Sequence, residues 1–411
     1  MTVDSGRSWI VAIAGAVASG VAFGTVYTFG AFFEAMAEDF GAGRGATALV
    51  FGITLMCFFG FGLITGPLTD RVGPTPLVIT GGLVMACALW LTSNVTSVGV
   101  GYVTYGLGVG VGGSMVGTPV WATVGMGFER HRALAMGVVA TGNGLGTLLL
   151  VPTSQYLIDR HGWRNAYAIL AAFVLVALVL AGLAMTRPIQ PHHVPARTVI
   201  GRVVHRPEFR LLFGTSVLFS ISLFIAFGFV VDFATGAGVD PGGAALLVGL
   251  IGASSVVGRL GLTALASRVS AIRLLQWCLL AQPVAFGTWL AADDSYPLLV
   301  VFALLMGISY GGFVSLGPEV MALLFGTVGV GSIMGLLFLG FGLGGLIGPP
   351  FAGWLADETS SAATIALALV VAVIACVLGW MIPDRSPSRE LLSEAGELVQ
   401  PRAPGTIGEG Q

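Results

Sequence analysis

Long stretches without formal charge dominate this 411-residue sequence and limit what it can fold into. Residues 8–33, 45–69, 133–158, 165–186, 211–231, 274–292, 295–318 and 359–383 contain no Asp, Glu, Arg or Lys. A helix needs about 20 largely apolar residues to cross a bilayer, so each of these stretches holds one span. Residues 72–128 hold two, divided by the polar Thr92-Ser93-Asn94. Residues 241–258 hold another, running past Arg259 to about Leu265, and residues 320–356 hold one that begins near Gly329. The total is twelve. Only helices or closed barrels satisfy the backbone in lipid, and runs this continuous are not the alternating pattern of barrel strands. The expected fold is therefore an all-α membrane protein with twelve transmembrane helices.

Charged residues make up 9% of the chain, against roughly 25% in soluble domains. That excludes a soluble enzyme, and a formal charge of −2 leaves no basic excess for binding nucleic acid. All 18 basic residues are Arg. Without Lys there is no Walker A phosphate loop and no Schiff base for pyridoxal or retinal. No cofactor is expected. Cys57, Cys87, Cys278 and Cys376 lie inside spans and suggest no disulfide framework.

Arginine also sets the expected orientation. With both termini cytoplasmic, inside segments carry Arg7, Arg71, Arg130, Arg132, the cluster from Arg187 to Arg210, Arg268, Arg273 and the arginines of the tail. Outside loops carry only Arg44, Arg160 and Arg164. The expected location is the cell (inner or plasma) membrane, multi-pass, with lipid as a partner.

Residues 187–210 interrupt the apolar pattern with prolines and five arginines, and read as a cytoplasmic linker with room for a surface-lying helix. The expected organisation is a six-helix bundle over 1–186, the linker at 187–210, a second bundle over 211–383 and a disordered cytoplasmic tail at 384–411. The halves repeat. Tyr156-Leu157-Ile158-Asp159 corresponds to Trp354-Leu355-Ala356-Asp357 at an offset of 198, and Phe128 to Phe325 at 197. Six-helix repeats in the same orientation mark the major facilitator fold, whose substrate site lies between the halves near the midplane.

Gly66-Pro-Leu-Thr-Asp70-Arg71-Val-Gly73 closely resembles the G-x-x-x-D-R/K-x-G motif of major-facilitator proteins. The resemblance implies a gating role for Gly66, Asp70, Arg71 and Gly73 on the cytoplasmic side. Asp70 suits the positive end of a helix there. Phe128-Glu-Arg130-His-Arg132-Ala-Leu134-Ala-Met-Gly137 resembles the F-x-K-R-R-x-L-A-x-G signature of the monocarboxylate transporter and oxalate–formate antiporter group. Asp4-Ser-Gly6-Arg-Ser-Trp9 is partly similar to that group's D-G-G-W-G-W. Two departures bear on coupling. Animal monocarboxylate carriers have a Lys where this chain has Tyr27, and an Asp where it has Ser255. Those groups go with proton coupling in the family, so the resemblance does not carry that coupling over.

Arg259 is the only cation inside a span, about 6 Å from the span's centre at 1.5 Å per residue. A charge there costs at least about 2.5–3.5 kcal/mol, so it is expected to face a central cavity and meet an anion. Its planar fork matches a carboxylate, and one cation fits one negative charge. The resemblance adds that monocarboxylate carriers keep their substrate-binding Arg here. Tyr27, Asn143 and Tyr310 are further candidates to bind substrate, or equally glue between helices. Phe341 is a candidate for an apolar wall. Asp232, near the outer end of its span, is a possible proton carrier. Glu34 is expected only to mark the interface, and Glu319 to pair with a cytoplasmic Arg. No catalytic residue and no metal site are expected, since no nucleophile–base pair lies in the spans and all five histidines lie outside them.

The favoured function is secondary transport of a small organic anion, a monocarboxylate such as lactate, pyruvate or formate, by alternating access with proton symport or anion exchange. A monomer is the expected functional unit. The alternative is a major-facilitator carrier of another substrate class: a drug or metabolite exporter, or a sugar or inorganic anion porter. An intramembrane enzyme or receptor is the third reading.

Overall fold

The computed structural model describes residues 4–384 apart from 129, 187–200, 202, 267, 293–294 and 327–329. All regular structure among the described residues is helical. The first helix, α1, comes in two pieces, Gly6–Tyr27 and Phe29–Phe40, and α2 in two, Arg44–Gly60 and Gly62–Val72. They are followed by α3 (Pro74–Thr92) and α4, whose helical turns run across Val98–Met126. The run Arg132–Ala184 breaks at Gly162, giving α5 (residues 132–161) and α6 (163–184). The second half holds α7 (Pro207–Gly236), α8 (Pro241–Leu265), α9 (Ala271–Leu290), α10 (Tyr296–Phe325), α11 (Val330–Glu358) and α12 (Ser361–Trp380).

Local chemistry sets these boundaries. Ser5 and Ser8 form a capping box at the start of α1. Asp240 and Ser360 cap α8 and α12 by accepting from Gly243 N–H at 2.8 Å and Ala363 N–H at 3.2 Å. Proline opens α3, α7 and α8, where its missing N–H costs nothing. Hence α7 begins at Pro207, inside the segment that composition alone assigns to the linker. Residues 187–200 and 202 of that linker and the tail beyond 384 lie outside the described residues; of the expected surface helix, helical turn is described at Gly201 and Val203. The first helix outruns its charge-free stretch because Glu34, Glu38 and Asp39 continue the helical turn beyond Phe33.

Among the described residues, ten helices are long and apolar enough to span a membrane. One of these ten is the run that Gly162 divides, and α9 adds a further 20-residue helix, which makes twelve. In the first half α1 packs on α5, and α3 on α4 and α6. In the second, α7 packs on α11 and α12, and α10 on α8 and α9. The halves meet where α2 packs on α11, α5 on α8, and the second piece of α1 on α7.

The motif glycines of the α2–α3 turn sit there for different reasons. Gly73 has φ 91° and ψ 167°, a region that is essentially glycine's alone. A Cβ on Gly66 would meet only Thr118 Cγ2, at an ordinary 3.7 Å. Gly73→Ala is therefore expected to cost about 1–3 kcal/mol and to lower the midpoint of thermal unfolding, followed in detergent by tryptophan fluorescence. Gly66→Ala should leave that midpoint within error of wild type. Equal midpoints for the two variants would refute this division.

Candidate functional site

The first and last described residues lie on one face of the bundle, here the terminal face, where Asp384 accepts from Arg273 at 3.0 Å and Asp4 from the backbone N–H of Arg130 at 3.0 Å. The other face is called distal. On the terminal face the two signature segments touch. The rings of Trp9 and Phe128 lie edge to face at 4.9 Å, and Asp4 also pairs with His131 at 3.3 Å. In the adjoining α2–α3 turn, Arg71 is exposed and makes no ion pair among the described residues. The Asp70 side chain lies outside the described part. Glu319 is likewise exposed, one residue after Pro318 on α10, and forms no ion pair among the described residues.

Between the halves, α8 carries Arg259 into the protein interior, where it is 2% exposed. Its Nη1 donates to the Ala140 carbonyl of α5 at 2.7 Å, a bond that crosses from one half to the other. Its Cζ lies 5.2 Å from the centre of the Tyr310 ring, within cation–π range. Its Nε and Nη2 have no acceptor among the described residues. The Tyr310 hydroxyl of α10 meets the Tyr27 hydroxyl of α1 at 3.3 Å, again across the halves. Tyr27 stacks on Phe227 of α7, with ring centres 4.2 Å apart and planes 8° apart. Sequence positions 27, 227, 259 and 310 thus converge on one cluster with one cation, two phenol hydroxyls and an apolar floor.

The fold positions Tyr27 by a break in α1. Thr28 interrupts the helix, and the Thr25 carbonyl accepts from Thr28 Oγ1 at 2.7 Å and from Tyr105 Oη at 3.0 Å. Tyr105 belongs to a π-helical stretch of α4, Tyr102–Val109, a local widening that often accompanies function.

The other candidates are placed differently. The Asn143 carboxamide oxygen accepts from Ser19 Oγ at 2.5 Å, which joins α1 to α5 one turn from Ala140. Phe341 sits in an aromatic seam with Phe59 of α2 and Phe224 of α7, at 5.7 and 6.3 Å between ring centres. That seam reaches Tyr27 through Phe23, 6.3 Å from Phe59 and 6.1 Å from Tyr27. Asp232 is not in the cluster. At the distal end of α7 it pairs with Arg44 of α2, Nε to Oδ2 at 3.3 Å, and lines a cavity of about 160 Å³ with Glu34, Glu38 and Gln155. Glu34, expected only to mark the membrane boundary, faces this cavity.

Phe227 is a site residue that charge and motif reasoning overlooks. The available signal is the density of rings on α7, which carries Phe219, Phe224, Phe227 and Phe229 in close succession. The Ala140 carbonyl has no sequence signal, because every residue has one.

Hydrogen-bonded links cross between the halves at two levels. Tyr27–Tyr310 and Arg259–Ala140 are central. Arg44–Asp232 and the Gly45 N–H to Asp357, at 3.3 Å, are distal. The halves are therefore fastened at the midplane and on the distal face. No group of three or more His, Cys, Asp or Glu side chains suited to a metal ion occurs among the described residues.

The chain matches the family described as Major Facilitator Superfamily over residues 15–291 and 278–408. It is 32% identical over 368 residues to monocarboxylate transporter 3 of Rattus norvegicus, covering 86% of this chain and 75% of that protein. Monocarboxylate transporter 4 of Rattus norvegicus is 27% identical over 97% of this chain and 90% of its own. Among solved structures, a bacterial homologue of the human lysosomal transporter Spinster, inward-facing and unoccupied, superposes with a TM-score of 0.73 at 14% identity, covering 95% and 99% of the two chains. A variant of the nucleoside transporter NupG gives 0.74 at 14% identity over 92% and 99%.

Proposed function

The chain belongs to the major facilitator superfamily, and on that premise we propose that it carries small monocarboxylates of the lactate and pyruvate kind across the cell membrane by alternating access. The supporting observation is Arg259: a buried guanidinium between the halves with two donors that no group among the described residues accepts. A carboxylate supplies the charge and the two acceptor oxygens that such a fork lacks. Tyr27 and Tyr310 stand beside it to bond the substrate's remaining oxygen. The aromatic seam through Phe341 and Phe227 faces its apolar part. Similarity to proteins named monocarboxylate transporters points to the same substrate class.

In this reading the terminal face is cytoplasmic, as the arginine distribution requires. The Gly66–Gly73 turn gates that side, with Asp70 and Arg71 making their contacts when it closes. The Arg44–Asp232 pair latches the distal side, which gives Asp232 a structural task in place of a proton-carrying one. Each chain holds a complete site, so a monomer suffices.

The test is uptake of labelled lactate by purified protein in lipid vesicles that contain unlabelled lactate. Saturable uptake, inhibited by pyruvate and much less by the dicarboxylate succinate, is the expected result. Folded protein that moves none of lactate, pyruvate or formate would overturn the assignment and favour a carrier of another substrate class.

A further inference from the structure

We infer that the distal closure works as a helix cap supplied from the other half: Asp357 of α11 is the N-cap that α2 lacks, and parting the halves on the distal face takes that cap away. This rests on the alternating-access part of the proposed function and on no choice of substrate.

The repeat shows which cap is missing. At the offset of 197 that relates Phe128 to Phe325, Gly43 corresponds to Asp240. Both are N-cap residues with nearly the same extended backbone, φ −62° and ψ 157° at Gly43, φ −60° and ψ 146° at Asp240. Asp240 caps its own helix through the Gly243 N–H. Gly43 has no side chain with which to do so, and leaves the first N–H groups of α2 to other acceptors. One of them, the Gly45 N–H, donates to Asp357 Oδ2 at 3.3 Å. The repeat counterpart of Asp357 is Asp159. Asp159 is engaged within its own helix, accepting from Gln155 Nε2 at 2.8 Å. So α8 is capped by its own chain segment, and α2 is capped across the halves.

The backbone holds the carboxylate in place. A Cβ on Gly43 would lie 2.8 Å from Asp357 Oδ2, so the glycine leaves room for the carboxylate. One turn earlier in α11, a Cβ on Gly353 would lie 2.8 Å from both the Arg44 carbonyl oxygen and the Gly45 nitrogen. The last turns of α11 therefore rest directly on the first turn of α2. Between the two glycines of that turn, Arg44 reaches α7 and pairs with Asp232. Three consecutive residues of the first half thus engage two helices of the second. A carboxylate at this position also meets the positive end of the helix dipole.

These contacts belong to the closed distal face. Opening it leaves the first turn of α2 uncapped, which favours the closed state about fivefold, the usual weight of an N-cap. A cap within the same half removes that preference, because the helix end is then satisfied in both states.

The experiment reads distal opening from the labelling rate of a cysteine in the distal cavity. Ala31 lines that cavity and is 7% exposed. Ala31→Cys is labelled with a membrane-impermeant thiosulfonate added to vesicles whose protein has the distal face outward. The reaction of the chain without it, whose own Cys87 is exposed, is subtracted. Asp357→Ala should speed labelling about fivefold. Gly43→Asp caps α2 within its own half and displaces Asp357. It should speed labelling at least as much, with an unfolding midpoint no lower than that of the parent. The double variant should label no faster than Gly43→Asp alone. An unchanged rate in Asp357→Ala would overturn the inference, as would a further fivefold gain in the double variant. Where Asp357→Ala does not fold, Gly43→Asp decides: unchanged or slower labelling overturns the cap. The expected shifts in a protein that moves no lactate would leave the cap standing and overturn only the substrate reading.

Discussion

Arg259→Gln is expected to lower lactate transport by roughly 10²–10³-fold while the protein stays folded. Two charge-assisted hydrogen bonds to a carboxylate contribute about 1.5–3 kcal/mol each, and a loss near the lower end of their sum gives that factor. The expected change in stability has the opposite sign. A buried cation without a counter-charge destabilises its surroundings, so removing it should leave the unfolding midpoint unchanged or raised. The one lost bond, to Ala140 O, works against this, but a carboxamide can still donate to a carbonyl there. Arg259→Lys keeps the charge and loses the fork, and should fall between wild type and glutamine. The measurements are initial uptake rates in vesicles and thermal unfolding of the same preparations. Undiminished saturable uptake in Arg259→Gln would remove the guanidinium from the substrate site. A large drop in the unfolding midpoint together with lost transport would make Arg259 a structural residue.

The second large effect concerns assembly. Where α1 crosses α5 their backbones touch. A Cβ on Gly20 would lie 2.5 Å from the Gly142 carbonyl oxygen, and one on Gly24 would lie 2.7 Å from that of Gly146. In return, a Cβ on Gly146 would fall on the Gly20 carbonyl, and one on Gly142 on the Ala16 carbonyl. These obstacles are backbone atoms, which cannot rotate away. Gly146→Leu is expected to abolish recovery of monodisperse protein. Gly146→Ala should cost at least about 3 kcal/mol, the upper end for overpacking a core. Gly287, with nothing within 4 Å of its Cβ position, is the control: Gly287→Ala should be neutral or slightly stabilising. Size-exclusion profiles and unfolding midpoints distinguish these outcomes, and a wild-type profile for Gly146→Leu would refute the close approach. The effect would reach the site as well, since α1 carries Tyr27 and α5 supplies the Ala140 carbonyl.

Much of the fold was legible because the bilayer is an unforgiving solvent. A charge-free run of some 20 residues has few fates in lipid. Arg259 stood out for the same reason, as a single cation in an apolar run. Helix ends were less legible, because they depend on caps and not on hydrophobicity. Glu34 and Asp39 look like the end of a span, yet the helix continues to Phe40. The division at Gly162 followed from charges around residues 159–164, but the φ of 75° that makes it was not visible in them.

The chemistry of the site was only partly legible. Arg259, Tyr27 and Tyr310 were each found as polar groups in apolar runs, but nothing in their spacing indicates that two hydroxyls 283 residues apart meet at 3.3 Å. Asn143 and Asp232 were found by the same rule and turn out to join helices, Asn143 to Ser19 and Asp232 to Arg44. The rule identifies groups that need a partner in a low dielectric, and cannot say whether that partner is a substrate or another helix.

What the sequence determined by itself was the class of solvent, the helical character of the crossings and the lone buried cation, since each follows from the cost of placing charge or bare backbone in lipid. What only the tertiary structure decided was which groups meet: the α1–α5 and α2–α11 crossings, the stacking of Phe227 on Tyr27, and the absence of any described carboxylate beside Arg259. Those depend on how helices from the two halves rotate and approach, and packing energy of that kind is spread over many small contacts that no single residue announces.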